Sequence, residues 1–189
     1  MTADPLALGV IVGSNRRGRF AGTVARWFVG EAERRSDITL DVIDLADVEL
    51  PARFEFRTQD PRVLAFLERI DRADAFVVIT PEYNHSYPAA LKHAIDYGKE
   101  QWYRKVVGYV SYGGMSGGLR AVEHLRQVFA EVHATSVRET VSFHLARSRF
   151  DEQGRPVDPE GTALAAKVML DDLVWWADAL REARRRTRS

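Results

Sequence analysis

The chain contains no cysteine in its 189 residues. That excludes a disulfide frame, a thiolate nucleophile and any cysteine-held zinc or iron–sulfur site. Neither charge is in excess, because 27 Lys plus Arg stand against 27 Asp plus Glu, whereas a protein built to bind nucleic acid carries a basic footprint. Long apolar runs are missing too, and the start, MTADPLALGVIVGS, has no basic stretch and too short an apolar run for a signal peptide. The expectations are no nucleic-acid partner, no membrane and a cytoplasmic setting. No G-x-S-x-G marks a serine-hydrolase elbow. His85, His93, His124, His133 and His144 are scattered without H-E-x-x-H spacing or a carboxylate cluster, so no metal site is expected.

What is present is an ordinary globular composition, 46% hydrophobic, in a chain whose length suits one domain spanning residues 1–189. Short β-branched runs alternate with helical patterns. Leu6 to Gly13, Ile38 to Leu45, Ala75 to Thr80, Val106 to Ser111 and Thr135 to Val141 read as strands. Stripes such as Val24, Ala25, Phe28 and Ala32, or Ala121, Val122, Leu125 and Phe129, read as helices between them. Five such units predict an α/β fold, an open doubly wound parallel sheet with helices on both faces. The piece from Phe143 to Thr162 is expected to be a turn-rich excursion that is functional or contacts a partner. Trp175 and Trp176 on the last helix are expected in the core or at a subunit contact, and the basic end REARRRTRS as a solvated helix terminus.

Ligands of open α/β sheets lie beyond the carboxyl ends of the strands, which singles out three loops. The first, GSNRRGRFAG, runs from strand to helix and offers Ser14, Arg16, Arg19 and the helix start to an anion. It lacks both G-x-G-x-x-G and G-x-x-x-x-G-K-[ST], so a mononucleotide phosphate suits it better than a dinucleotide. By itself the loop equally suits a helix capped by Ser14 with solvated arginines. The second, PEYNHSYP, is stiffened by Pro81 and Pro88 and sets Glu82, Tyr83 and Asn84 beside Tyr87, a surface for a flat heteroaromatic ring or simply packed aromatics. The third, SYGGMSGG, supplies glycines for close backbone approach or for a plain turn.

GSNRRGR, TPEYNHSYPAALKHAIDY and SYGGMSGGLRAVEHLRQVF, in that order, resemble the NAD(P)H-dependent FMN reductases of flavodoxin-like fold. The resemblance implies a sheet of strand order 2-1-3-4-5, noncovalent FMN, NADPH or NADH as reductant, a small-molecule electron acceptor and a homodimer or tetramer. It assigns the FMN phosphate to Ser14, Arg16 and the helix start at Phe20 and Ala21. The flavin ring falls to Pro81, Glu82, Tyr83 and Asn84 on one edge, and to Ser111, Tyr112, Gly113 and Gly114 on the other. Many members carry a second serine a few residues after the arginine; here Gly18, Arg19 and Phe20 stand there, with Arg19 as the replacement contact. No catalytic acid or nucleophile is expected, since the chemistry is the flavin's. A flavodoxin-type electron carrier and a flavin-binding regulatory subunit are the alternative readings.

Overall fold

The computed structural model describes residues 4–55 and 57–187. The elements follow in the order β1 (Leu6–Val12), α1 (Ala21–Ala32), β2 (Ile38–Asp44), α2 (Pro61–Arg72), β3 (Ala75–Pro81), α3 (Ala89–Tyr97), β4 (Val106–Tyr112), α4 (Leu119–Glu131), β5 (Thr135–Phe143) and α5 (Pro159–Thr187). The five strands form one parallel sheet in the order β2-β1-β3-β4-β5, as the flavodoxin-like resemblance implies.

Strand alternation sorts the core onto two faces. Val10, Val12, Val77 and Ile79 pack with Phe28 of α1 and Met169 and Leu173 of α5. Ile11, Phe76 and Val78 pack on the other face with Ile70 of α2, Leu91 of α3 and Phe129 of α4. Right-handed crossovers require this split. The chain steps outward from β1 to β2 under α1, then reverses past β1 to β3 over α2. The reversal leaves a crevice at the carboxyl ends of β1 and β3, and the three loops open there.

Helix starts follow local chemistry. Asp60 and Asp158 each precede a proline that opens a helix, and each Oδ1 accepts a backbone N–H of the first turn, from Arg62 at 2.9 Å and Gly161 at 2.9 Å. The irregular piece after β5 is therefore shorter than its expected end at Thr162, because Asp158 and Pro159 begin α5 first. Within it Ala146–Arg149 make a 3-10 turn and Phe150 pairs with Pro156. The first helix starts at Ala21 with Phe20 before it, where the resemblance sets its beginning. Gly18 takes a left-handed φ of 65° and α1 begins only at Ala21, so Arg16 sits in the loop and not in the helix.

At the opposite edge of the sheet α5 is tied down through Asp74. Its carboxylate meets Arg184 at 2.9 Å and Arg181 at 3.7 Å and accepts the Ala7 N–H at 3.2 Å, with all three side chains mostly buried. Asp74→Ala leaves two guanidiniums facing each other, and we expect a stability loss of about 1–3 kcal/mol, measured as a shift of the urea midpoint at unchanged m-value. The basic end continues α5 to Thr187; residues 188–189 of that run and residues 1–3 of the start lie outside the described residues.

Candidate active site

The loops are wired to one another in sequence around the carboxyl edge. Ser14, fully buried, shares a hydrogen bond of 2.6 Å between its Oγ and the Tyr83 hydroxyl. The Arg16 guanidinium lies 3.6 Å over the Tyr83 ring, a cation–π contact, and has no carboxylate partner among the described residues. Tyr83 therefore joins the first loop to the second. Its own loop closes as a tight turn, with Tyr83 and Ser86 exchanging backbone hydrogen bonds of 2.8 and 3.1 Å while Asn84 and His85 adopt left-handed φ of 50° and 72°. Asn84 consequently stands exposed at the turn tip.

Glu82 joins the second loop to the third. Its N–H donates to the Tyr112 carbonyl at 3.1 Å, and its carboxylate takes the Ser116 hydroxyl at 2.5 Å and the Arg120 guanidinium at 2.9 Å. Burial pushes this carboxyl up, but the Ser116 and Arg120 contacts outweigh it and hold the group below its ordinary value. Glu82 is thus ionised at neutral pH and is unsuited to act as a general acid. Leu145, left-handed at φ 49°, and Ala146 donate backbone N–H groups to Gly114 at 2.8 Å and Gly113 at 3.0 Å, which draws the segment after β5 against the third loop.

Two clefts result, with Tyr83 in the wall of both. One, of about 740 Å³, runs from Asn15 and Arg16 past Leu45 and Leu50 to Pro88 and His93. The other, of about 560 Å³, is lined by Phe20, Pro81, Glu82, Tyr83 and Tyr112, by Gly113 and Gly114, and by residues 145–148. Most residues expected around a flavin ring thus share one cleft. Ser111 stays behind the wall, its hydroxyl donating to the Gly117 carbonyl at 2.9 Å.

Arg19 takes a different place from the one its sequence position suggests. Its guanidinium grips Asp44 through two bonds of 2.6 and 2.5 Å and also donates to the Ser14 carbonyl. The Asp44 hydrogen bond raises its pKa further. Asp44, at the end of β2, was not legible as a site residue, since nothing in a strand ending IDL distinguishes this carboxylate from a solvated one. The same holds for Ser116, Arg120 and the wall at residues 145–148, which sequence spacing does not connect to Glu82 or Gly114.

The Tyr112 hydroxyl lies behind the cleft wall. It is buried and has no hydrogen-bond partner among the described residues, and burial pushes the phenol well above its ordinary pKa. The hydroxyl is closed off from solvent, and so from the cleft, beside Tyr83, Arg19 and Ser14, and it is the Tyr112 ring that forms the wall. Beside it Gly114 has open space where a side chain would start. Apolar walls from Phe20 and Pro81, bare glycine backbone and a cationic loop nearby fit an aromatic heterocycle with a phosphate tail.

The fold and this site define a flavodoxin-like nucleotide-binding oxidoreductase. Residues 6–148 match the NADPH-dependent FMN reductase family, and the chain belongs to that family: an enzyme whose cofactor is FMN and whose reductant is NAD(P)H. A probable NADPH:quinone oxidoreductase 2 of Oryza sativa subsp. japonica is 33% identical over 84% of each chain. A 2-hydroxy-1,4-benzoquinone reductase of a Burkholderia species is 30% identical over 90% of this chain and 96% of its own. Among solved structures, the flavoenzyme NAD(P)H:(acceptor) oxidoreductase of Paracoccus denitrificans has the same fold, with a TM-score of 0.73 at 24% identity over 92% of this chain and 98% of its own.

Tyr83 is half-buried, so its loss acts on the site more than on the core. Tyr83→Ala is expected to move unfolding stability by no more than about 1 kcal/mol while turnover falls severalfold. Urea titration beside steady-state kinetics separates the two, and a protein that unfolds instead identifies Tyr83 as a packing residue.

Proposed function

We propose that the whole chain, as one FMN-binding domain, reduces free flavin, a quinone or a related small acceptor with NADPH or NADH. The reductant and the acceptor use one cleft in turn, in a cytoplasmic homodimer or tetramer. The observation that carries this reading is the join at Tyr83, which sets Arg16, without an ion-pair partner among the described residues, and the buried Ser14 directly beside the cleft walled by Phe20, Pro81 and glycine backbone.

Bound FMN supplies the redox chemistry, accepting hydride from the nicotinamide and delivering electrons to the acceptor. The protein's part is placement. Ser14, Arg16 and the start of α1 at Phe20 and Ala21 hold the phosphate, while Arg19, clamped by Asp44, fixes the loop that presents them. Pro81, Glu82, Tyr83 and Asn84 border the ring on one side through backbone groups stiffened by the tight turn. Tyr112, Gly113 and Gly114 border the other, where missing side chains let the backbone approach, and Ser111 supports them from behind. Glu82 stays charged and hydrogen-bonded, so it positions the loops and transfers no proton. The acceptors named for the relatives, quinones and a hydroxybenzoquinone, are flat rings that suit a cleft walled by Phe20 and Pro81.

The test is direct. Purified protein loaded with FMN is expected to show a flavin band and to oxidise NADPH or NADH with a quinone or free FMN as acceptor. Reciprocal plots at several acceptor concentrations are expected to be parallel. Complete inactivity of a flavin-loaded sample overturns the enzyme assignment, and intersecting lines overturn the alternating use of one cleft.

A further inference from the structure

Two exposed features stand outside the flavin contacts. On α5, Trp175 is 64% exposed and Trp176 38%, and the two rings meet edge-on at 5.1 Å. The expectation of core packing for this pair is therefore corrected: the core side of α5 is filled by Ala166, Met169, Leu170, Leu173 and Ala177, and both indoles remain outside. The other feature is the cleft wall at residues 145–148, to which the flavin assignment gives no role. Its backbone is fixed before any ligand arrives. His144 Nδ1 donates to the Met115 carbonyl at 2.9 Å, Leu145 and Ala146 hold Gly114 and Gly113, and the Ser148 N–H and hydroxyl each donate to the Leu145 carbonyl at 2.8 Å. Leu145 is thereby kept at its left-handed φ of 49° with its side chain 53% exposed. A leucine held in a costly backbone conformation at a cleft points to a use for what it presents there.

Arg147 stands on the same wall. Of the residues that line this cleft two carry charge, Glu82 and Arg147. Glu82 is already neutralised by Arg120 and bonded to Ser116. Arg147 is exposed and has no hydrogen bond or ion pair among the described residues, and its guanidinium lies 5.6 Å from the centre of the Phe20 ring. That ring is itself held, edge-on to Phe150 at 5.5 Å and to Tyr112 at 6.2 Å, so the cation has a firm seat. The wall thus sets an apolar side chain beside an uncompensated positive charge. Its complement is a flat apolar ring that carries negative charge on the ring itself. A nicotinamide dinucleotide keeps its phosphates a ribose away from the reacting ring, whereas Arg147 lies at the wall of the cleft assigned to rings. Arg16, the cation given to the FMN phosphate, lines the other cleft.

We propose that Arg147 selects the electron acceptor by charge: with Leu145 beside it, it favours quinones that bear an ionised substituent, such as a sulfonate, a carboxylate or an acidic hydroxyl, over neutral quinones of similar size. Arg147 binds the substituent and takes no part in the electron transfer. The inference rests on the reading of this cleft as the place where acceptor meets flavin.

Steady-state reduction of 1,4-naphthoquinone-2-sulfonate and of the neutral quinone menadione by the FMN-loaded full chain tests it. Arg147→Met keeps an apolar side chain over Phe20 and removes the charge. The ratio of kcat/KM for the sulfonate to that for menadione is expected to fall at least about tenfold, through the KM of the sulfonate, and Arg147→Lys is expected to restore part of it. Naphthalene-2-sulfonate, which accepts no electrons, gives a readout apart from turnover. By calorimetric titration of the FMN-loaded protein, its affinity is expected to fall by a similar factor in Arg147→Met. An unchanged acceptor ratio overturns the proposal and leaves the reductase reading standing. A rise in the KM of NADPH that matches the rise for the sulfonate gives the charge to the reductant and overturns selection of the acceptor. Loss of FMN affinity as large as that expected for Arg16→Ala gives Arg147 to the cofactor phosphate and overturns it as well. Protein that reduces neither quinone overturns the reading of the cleft itself, and equal naphthalene-2-sulfonate affinities in wild type and Arg147→Met overturn the anion contact whether or not turnover occurs.

Discussion

Arg16→Ala is expected to weaken FMN binding by about 1.5–3 kcal/mol, roughly ten- to 150-fold in Kd, while leaving the fold intact. The separation of the two effects comes from where the side chain sits. Arg16 is exposed, makes no ion pair among the described residues and rests on the Tyr83 ring, so its charge is available to a phosphate and little of the fold depends on it. Arg16→Lys keeps the charge but loses the flat stacking surface and the forked donors, so an intermediate affinity is expected. Arg19→Ala gives the contrasting result. Its guanidinium is bound to Asp44 and the Ser14 carbonyl, so removing it loosens the loop and lowers stability together with affinity. Quenching of FMN fluorescence at two salt concentrations measures the Arg16 effect, and an affinity equal to the wild type contradicts the placement of the phosphate at this loop.

Gly118→Val is expected to cost at least about 3 kcal/mol of stability and to abolish flavin binding with it. Gly118 caps the start of α4 with a φ of 88°, where a side chain is strained in any surroundings. A Cβ built there would lie 2.8 Å from the Ser111 Cβ and 2.9 Å from the Tyr112 nitrogen. Both neighbours belong to the buried end of β4 and cannot give way without moving the strand that carries the cleft wall. Gly114 is the control. It has no positive φ and open space where a Cβ would go, so Gly114→Ala should leave stability within about 0.5 kcal/mol and lower FMN affinity by intruding on the cleft. Denaturation and flavin titration on the two variants distinguish a glycine needed by the chain from one needed by the ligand. Equal stability for Gly118→Val and wild type contradicts the backbone argument.

Tyr83 shows how far local sequence carries the site. Its neighbours Pro81 and Pro88 announce a constrained turn, and its place after a buried run puts it at the carboxyl edge. Whether it packs or binds is undecidable from PEYN alone, because both roles ask for an aromatic residue. The contact with Ser14, 69 positions away, makes the difference. Arg16 and Arg19 make the same point more sharply. Three residues apart in one loop, they look interchangeable as anion ligands, yet Asp44 from the next strand engages Arg19, while Arg16 stacks on Tyr83 without an ion pair among the described residues.

The alternation of apolar runs and helical stripes by itself determined the five βα units, because side-chain periodicity and turn chemistry are local properties of the chain, while the strand order was implied by the resemblance that the three loop motifs carry. Only the tertiary structure decided which of the expected site residues line the cleft, that residues 145–148 complete its wall, and that the tryptophans of α5 face outward. Each of those depends on which distant carboxylate, carbonyl or ring arrives beside a side chain, and spacing along the sequence holds no record of that arrival.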